Sequence, residues 1–449
     1  MAHTEFIAAA RESLEAIERA RAAGRILVSD VTDADGHQYI DLVLEGGGVL
    51  GIALVGYLFA LERAGLRFLS IGGTSAGSIV ALLAAAAGGP ASERATRLID
   101  IVADMPIARF QDGDGDAQAF IDWLLKDSGK LFQPGISFSE IGAWVSGASK
   151  VVQVRDNFVD DLGLCPGSVF ESWVTDRLHD FGVDDTAGLI ARMQPGAGQL
   201  GYAGGEEGGA QRVSEARARL CLVAADLTTE RKVSFPEDAP LYYAEPDGVA
   251  PAEFVRASMS VPFFFHPKRC RVPRTPQAEA AWDARIRDGR ARALRYHNAW
   301  PPTECLMVDG GVMSNFPIDA FHAVGRVPTR PTLGVKLAVS PPYTAIGTPL
   351  ALLSQLFNGA RHCRDNDFIA GNPDFDQLVQ TIDTGGQGWL DFKIARQAQA
   401  DLFARGVRAA HDFLCGHEGT AGFDWPNYKE IRRALAQASQ AVASRSARA

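Results

Sequence analysis

The sequence predicts an α/β fold on a mainly parallel sheet. Short apolar runs alternate with helical patterns, and the first two such runs end in glycine-rich turns that open helices. A 449-residue chain of 47% hydrophobic composition is ample for a packed core, either as one large domain with insertions or as two domains.

Residues 4–24 alternate apolar and charged positions at helical spacing, which predicts an amphipathic N-terminal helix outside the core unit. The run 40–44 ends in Glu45-Gly46-Gly47-Gly48-Val49-Leu50-Gly51, and a helix follows over 52–64. The run 66–73 ends in Gly73-Thr74-Ser75-Ala76-Gly77, and an alanine-rich helix follows over 76–87 until Gly88-Gly89-Pro90 stops it. Helical patterns then dominate 91–105, 117–126, 138–158 and 168–181, with no clear strand among them, so a helical insertion is expected over about 91–215. Within it, residues 194–211 are glycine-rich and poor in apolar residues, which predicts a flexible loop. Strands are expected again at 219–225, 232–235, 306–308 and 332–339, and helices over 391–414 and 428–444.

The formal charge of −10 argues against a nucleic-acid partner, because phosphate contacts favour a basic surface. The six cysteines are scattered without C-x-x-C or zinc-type spacing and read as reduced core residues, so no metal and no cofactor is expected. The N-terminus lacks the apolar segment of a signal peptide and no stretch approaches 18 uninterrupted apolar residues, from which a cytoplasmic protein is expected, with leaderless export left open.

Three segments carry chemistry. Gly73-x-Ser75-x-Gly77 fits a nucleophile elbow, in which small flanking residues permit a tight strand-to-helix turn and place a serine at a helix N-terminus. Gly46-Gly47-Gly48 offers main-chain N–H groups with no side chain to block a carbonyl, as an oxyanion hole requires. Asp309-Gly310-Gly311 follows a short apolar run, so its carboxylate should emerge at a strand end, where a serine that needs a base could meet it. The glycine loop also satisfies G-x-G-x-x-G, but the next strand offers no acidic residue for a ribose; Ile52 and Ala53 replace the Lys and Ser/Thr of a P-loop.

In their chain order, glycine loop, then serine elbow, then Asp-Gly-Gly, the three segments resemble the patatin-like phospholipase family. Ala225-Asp226-Leu227-Thr228-Thr229, Ala257-Ser258-Met259-Ser260-Val261-Pro262-Phe263 and Asn315-Phe316-Pro317-Ile318 look like further signatures of it. The resemblance spans roughly residues 40–340. It implies a three-layer α/β/α fold, a Ser75–Asp309 dyad without a catalytic histidine, an oxyanion hole at Gly46, Gly47 and Gly48, and a phospholipid or related acyl-lipid substrate met at a membrane surface. The family commonly has Arg or Lys where this chain has Leu50, so electrostatic help from that side chain is missing. The expected organisation is an N-terminal extension over 1–36, a catalytic domain over 37–345 with the helical insertion and a basic insertion over about 268–300, and a mainly helical region over 346–449 packing on that domain. A protein activator is left undetermined.

Other readings stand beside this one. A Ser-Asp-His triad would take its base from His322, His362, His411 or His417, and a silent lipid-binding scaffold could keep the fold. Asp112, Asp114 and Asp116 alternate as calcium ligands do, but Ala117 and Trp123 occupy the Gly and Glu positions of an EF-hand loop. Residues 268–296 hold nine Lys and Arg against three acidic residues, a basic island that could attract anionic headgroups. Phe263-Phe264-Phe265 reads as core.

Overall fold

The chain opens with α1 (Ala2–Ala9) and α2 (Arg11–Ala22), so the N-terminal amphipathic segment is two helices. Leu14, Ile17 and Ala20 form the buried stripe of α2, and Phe6 is fully buried against Phe403, which makes the extension part of the core. A computed structural model describes residues 2–113, 115, 161–285, 300–338, 346, 349–388, 391, 393–417 and 419–446. Next come β1 (Val31–Thr32), β2 (Gln38–Leu44), α3 (Gly51–Arg63), β3 (Leu66–Thr74), α4 (Ala76–Ala86) and α5 (Ala95–Ala103).

The expected helices over 117–126 and 138–158 lie outside the described residues. Past them run β4 (Gly163–Cys165), α6 (Ser168–Asp180), α7 (Thr186–Met193), β5 (Gly201–Tyr202) and α8 (Gly209–Ser214). The loop expected to be flexible therefore carries structure. Tyr202 and Gly201 pair with Val31 and Thr32 on the edge of β1, and the Tyr202 ring packs so close to Gly204 and Gly209 that a Cβ on either would lie 2.3 or 2.1 Å from it. One aromatic residue and one strand edge order a segment whose composition alone is too polar to fold.

The remaining elements are β6 (Leu220–Asp226), β7 (Arg231–Phe235), α9 (Ala252–Ser258), β8 (Phe263–Phe265), β9 (Lys268–Arg271), α10 (Pro276–Arg285), β10 (Glu304–Asp309), β11 (Thr332–Ala338), α11 (Pro349–Gly371), β12 (Val379–Asp383), α12 (Arg396–Cys415) and α13 (Trp425–Ser446). The main sheet follows the path β12-β11-β2-β3-β6-β10-β9. Its first five strands are parallel, β10 runs antiparallel to β6, β9 runs antiparallel to β10, and β7 lies antiparallel on β6. Every residue of β3 and β6 is buried, as expected of a parallel sheet covered on both faces, so the α/β reading holds.

The register around β6 positions the site. One edge of β6 is filled by β7. On the other edge, β3 pairs along the first half with Thr74 opposite Val223, and β10 arrives from the opposite direction along the second half with Asp309 opposite Ala224. Two strand ends thus abut on adjacent residues of one strand, and the residues that follow each end are forced together.

Candidate active site

Ser75 sits between β3 and α4 with φ 51 and ψ −120, a conformation a non-glycine residue rarely adopts. Its neighbours hold it there. The Ser75 amide donates to Ser258 Oγ at 3.0 Å, Ser258 Oγ donates to the Val223 carbonyl at 2.6 Å, and the Ser75 carbonyl accepts from the amides of Ser78 and Ile79. The flanking glycines are required by close approach: a Cβ on Gly73 would lie 2.6 Å from the Gly77 carbonyl carbon, and one on Gly77 would lie 2.4 Å from the Leu44 carbonyl oxygen.

The Ser75 hydroxyl lies beside the Asp309 carboxylate, close enough to act on its titration. Asp309 is 5% exposed; its amide donates to the Ser260 carbonyl at 2.8 Å, and its Oδ1 accepts from the Gly311 amide at 2.7 Å. The short segment 258–260 therefore tethers both members of the pair. Burial pushes the Asp309 carboxyl above the ordinary carboxylate range, while the Arg361 charge, the Ser75 hydroxyl and the Gly311 amide oppose that shift. Gly310 must be glycine, since a Cβ there would lie 2.1 Å from the Val223 carbonyl oxygen.

The glycine loop packs directly on this pair. A Cβ on Gly46 would lie 3.2 Å from Ser75 Cβ and 2.5 Å from Asn315 Oδ1, and Gly48 has φ 55 in the left-handed region. The Gly46 amide already donates to the Asn315 carbonyl at 3.0 Å, so it is not available to an oxyanion. Among the described residues the Gly47 and Gly48 amides meet no such acceptor, which narrows the expected trio to two.

Several side chains in the site carry no motif of their own. Glu45 is buried and accepts from the Leu337 amide at 2.6 Å and from Asn315 Nδ2 at 3.3 Å, and burial pushes its carboxyl up to about 7. Asp365 accepts from Ser314 Oγ at 2.8 Å and from the Phe316 amide at 2.7 Å, and Ser314 in turn accepts Thr74 Oγ1 through its carbonyl. Asp365 and Arg361 come from α11. Only the Asn315-Phe316-Pro317 signature pointed toward this cluster from sequence.

The remaining candidates fall elsewhere. Among the described residues no histidine bonds Ser75 or Asp309: His322 packs on Phe368 and Phe375, His362 Nδ1 lies 3.9 Å from Glu45 Oε1, His411 Nδ1 contacts Asp412 at 2.9 Å, and His417 bridges to Thr420. Asp226 accepts from the amides of Thr228 and Thr229 and closes the turn between β6 and β7, so that signature is structural. Asp112 accepts from the Gly167 and Val169 amides and caps α6, while Asp114 and Asp116 lie outside the described residues. In the basic insertion, Lys268 pairs with Glu171 and Glu253, Arg269 with Glu304, and Arg285 with Glu237. These pairs neutralise charge offered to headgroups; Arg287, Arg290, Arg292 and Arg295 lie outside the described residues. Phe264 and Phe265 are core as expected, whereas Phe263, whose φ is 69, is 68% exposed.

The family model of patatin-like phospholipases matches residues 42–322. The chain is 28% identical over 381 residues to the uncharacterized protein YqhO of Bacillus subtilis (strain 168), across 84% of this chain and 98% of that protein. Among solved structures, VipD from Legionella pneumophila aligns at 14% identity with a TM-score of 0.39, over 85% of this chain and 69% of VipD. The type III effector protein ExoU aligns at 14% identity with a TM-score of 0.31, over 90% of this chain and 54% of ExoU.

Proposed function

Because the chain belongs to the patatin-like phospholipase family and is a lipid hydrolase of that class, we propose that it cleaves carboxylic esters of phospholipids or related acyl lipids through Ser75 and Asp309. The observation that carries this reading is that the abutting ends of β3 and β10 bring the Ser75 hydroxyl beside the buried Asp309 carboxylate. Ser75 Oγ attacks the ester carbonyl while Asp309 takes its proton, and the resulting oxyanion accepts from the Gly47 and Gly48 amides. The intermediate collapses as Asp309 returns the proton to the departing alcohol or lysolipid, leaving the acyl group on Ser75. Water, deprotonated by Asp309, then attacks the acyl-serine, and as the Ser75 Oγ–acyl bond breaks Asp309 returns the proton to Oγ, releasing a fatty acid and restoring the enzyme.

An ordinary aspartate near pKa 4 is a weak base, so the upward push that burial gives Asp309 favours this role. The helix dipole of α4 adds stabilisation of negative charge at Ser75. The substrate places the protein at a membrane surface, and no helix among the described residues is long and apolar enough to cross a bilayer. A binding-only scaffold has no use for a serine held at φ 51 against a carboxylate.

The test is covalent labelling by a fluorophosphonate together with fatty-acid release from phospholipid vesicles. Wild type should label, Ser75→Ala should neither label nor release fatty acid, and Asp309→Asn should lose at least about a thousandfold in kcat, as losing a nucleophile's base does. Undiminished release by Ser75→Ala would overturn the reading.

A further inference from the structure

We propose that Arg361 is a positioning residue of this site, holding the glycine loop through Asn315 and supplying the cation beside Asp309; the inference rests on the dyad reading. Arg361 lies on α11, beyond the segment that matches the family model. Around the point where a Cβ of Gly311 would sit, Asp309 Oδ1 lies at 2.9 Å, Asn315 Oδ1 at 2.9 Å and Arg361 Nε at 3.2 Å. Gly311 thus leaves open the space through which the guanidinium approaches the carboxylate.

Two physical effects follow. Arg361 Nη2 donates to Asn315 Oδ1 at 2.8 Å, and a guanidinium has no acceptor, so it fixes which end of the Asn315 amide faces it. The other end, Nδ2, must then face the loop, where it donates to the Gly46 carbonyl at 3.1 Å and to Glu45 Oε1 at 3.3 Å, while the Asn315 carbonyl accepts the Gly46 amide. Gly46 is gripped on both its polar groups, and Gly47 and Gly48 are placed relative to Ser75.

The second effect is charge. The loop brings no cation of its own, since Leu50 is apolar and buried. Among the described residues the charged and titratable groups around this position include Glu45 at the end of β2, Asp309 at the end of β10, Lys336 on β11, and His362 and Asp365 beside Arg361 on α11, Asp365 being turned to Ser314 and Phe316. Within that set Arg361 is the charge that opposes burial at Asp309 and keeps the base ionised to lower pH.

The experiment uses the purified full chain, a soluble p-nitrophenyl butyrate assay over pH 4–9, fluorophosphonate labelling rates and thermal melts. Arg361→Gln should lower kcat about ten- to a hundredfold with KM within about threefold, since transition-state placement is lost and ground-state binding is kept. Its acidic limb should move to higher pH, because Asp309 loses the cation that favours its charged form. Arg361→Lys keeps the charge and should leave the acidic limb in place while kcat falls, because a lysine cannot reproduce the planar donor fork. With Asn315→Ala as background, adding Arg361→Gln should cause little further loss of kcat. Wild-type kcat with an unmoved limb in Arg361→Gln, or a rise in KM alone, overturns the proposal. Should Arg361→Gln fail to fold, Arg361→Lys decides: reduced kcat with an unmoved limb supports the proposal, and wild-type kcat overturns it. If the wild type itself neither labels nor turns over, it is the dyad reading that fails; an active, labelled wild type beside an unaffected Arg361→Gln sinks only the role of Arg361.

Discussion

At the scale of single residues, the site is held by hydrogen bonds to backbone groups as much as by its reacting side chains. Ser75 occupies its strained conformation because Ser258 takes its amide and the first turn of α4 takes its carbonyl. Ser258→Ala leaves that buried amide without its acceptor, at a cost of about 1–3 kcal/mol. Relaxation of the turn should slow fluorophosphonate labelling of Ser75 by roughly tenfold, corresponding to about 1.4 kcal/mol at the transition state. Labelling at the wild-type rate in a folded Ser258→Ala protein would show that the tether does not position the nucleophile. The serine and its flanking glycines were legible in the sequence because their steric demands are local: Gly73 and Gly77 crowd each other and the end of β2. Ser258 and Glu45 stood inside segments that were noticed, but their roles were not legible, and Arg361 was not noticed at all, because an ordinary serine, glutamate or arginine acquires its partner only through the register of distant elements.

At the scale of elements, helix ends show the same dependence on remote partners. The helix α5 has no capping side chain at its own N-terminus; instead Glu62, near the end of α3, accepts from the Arg94 and Ala95 amides at 2.9 Å each. Burial pushes the Glu62 carboxyl up to about 7, against 4.5 for the free group, with the two amides and the charges of Arg94 and Arg67 opposing. Below pH 4.5 Glu62 is protonated in both folded and unfolded chains and its ionisation contributes nothing. As pH rises from 4.5 toward 7 the unfolded chain releases this proton first, so the group destabilises the fold increasingly, with a slope of up to about 1.4 kcal/mol per pH unit. Glu62→Gln removes that ionisation while an amide oxygen can still cap α5. Its melting temperature relative to wild type should therefore climb between pH 4.5 and pH 8; a difference that stays constant with pH would refute the burial assignment.

At the scale of the molecule, the parallel centre of the sheet was legible because β2 and β3 each end in a glycine-rich turn that opens a helix, whereas the order of strands across the sheet was not. The role of residues 346–449 was only partly legible. A mainly helical region packing on the catalytic domain was expected, but β12 extends the sheet beside β11 and α11 sends Arg361 and Asp365 into the site. The strand Val379–Asp383 mixes polar and apolar residues, as an edge strand does, and gives little apolar signal. The contact of α12 with α3 is equally hidden, because it depends on two glycines that meet only in the fold. A Cβ on Gly56 would lie 2.1 Å from the Phe403 carbonyl oxygen, and one on Gly406 would lie 1.9 Å from the Ala53 carbonyl oxygen. Since α3 begins at Gly51, directly after the glycine loop, forcing the helices apart also disturbs the loop. Gly406→Val should lower unfolding stability in urea by more than about 3 kcal/mol, the range of severe overpacking. Gly359→Ala on α11, where among the described residues nothing lies within 4 Å of the new Cβ, should instead gain about 0.5–1 kcal/mol from helix propensity. A chain ending at residue 345 loses β12, α12 and both α11 side chains at once and should neither unfold cooperatively nor release fatty acid. If that shortened chain folds and hydrolyses ester as the full chain does, residues 346–449 are a separable appendage, and the placement of Arg361 in the site has no functional consequence.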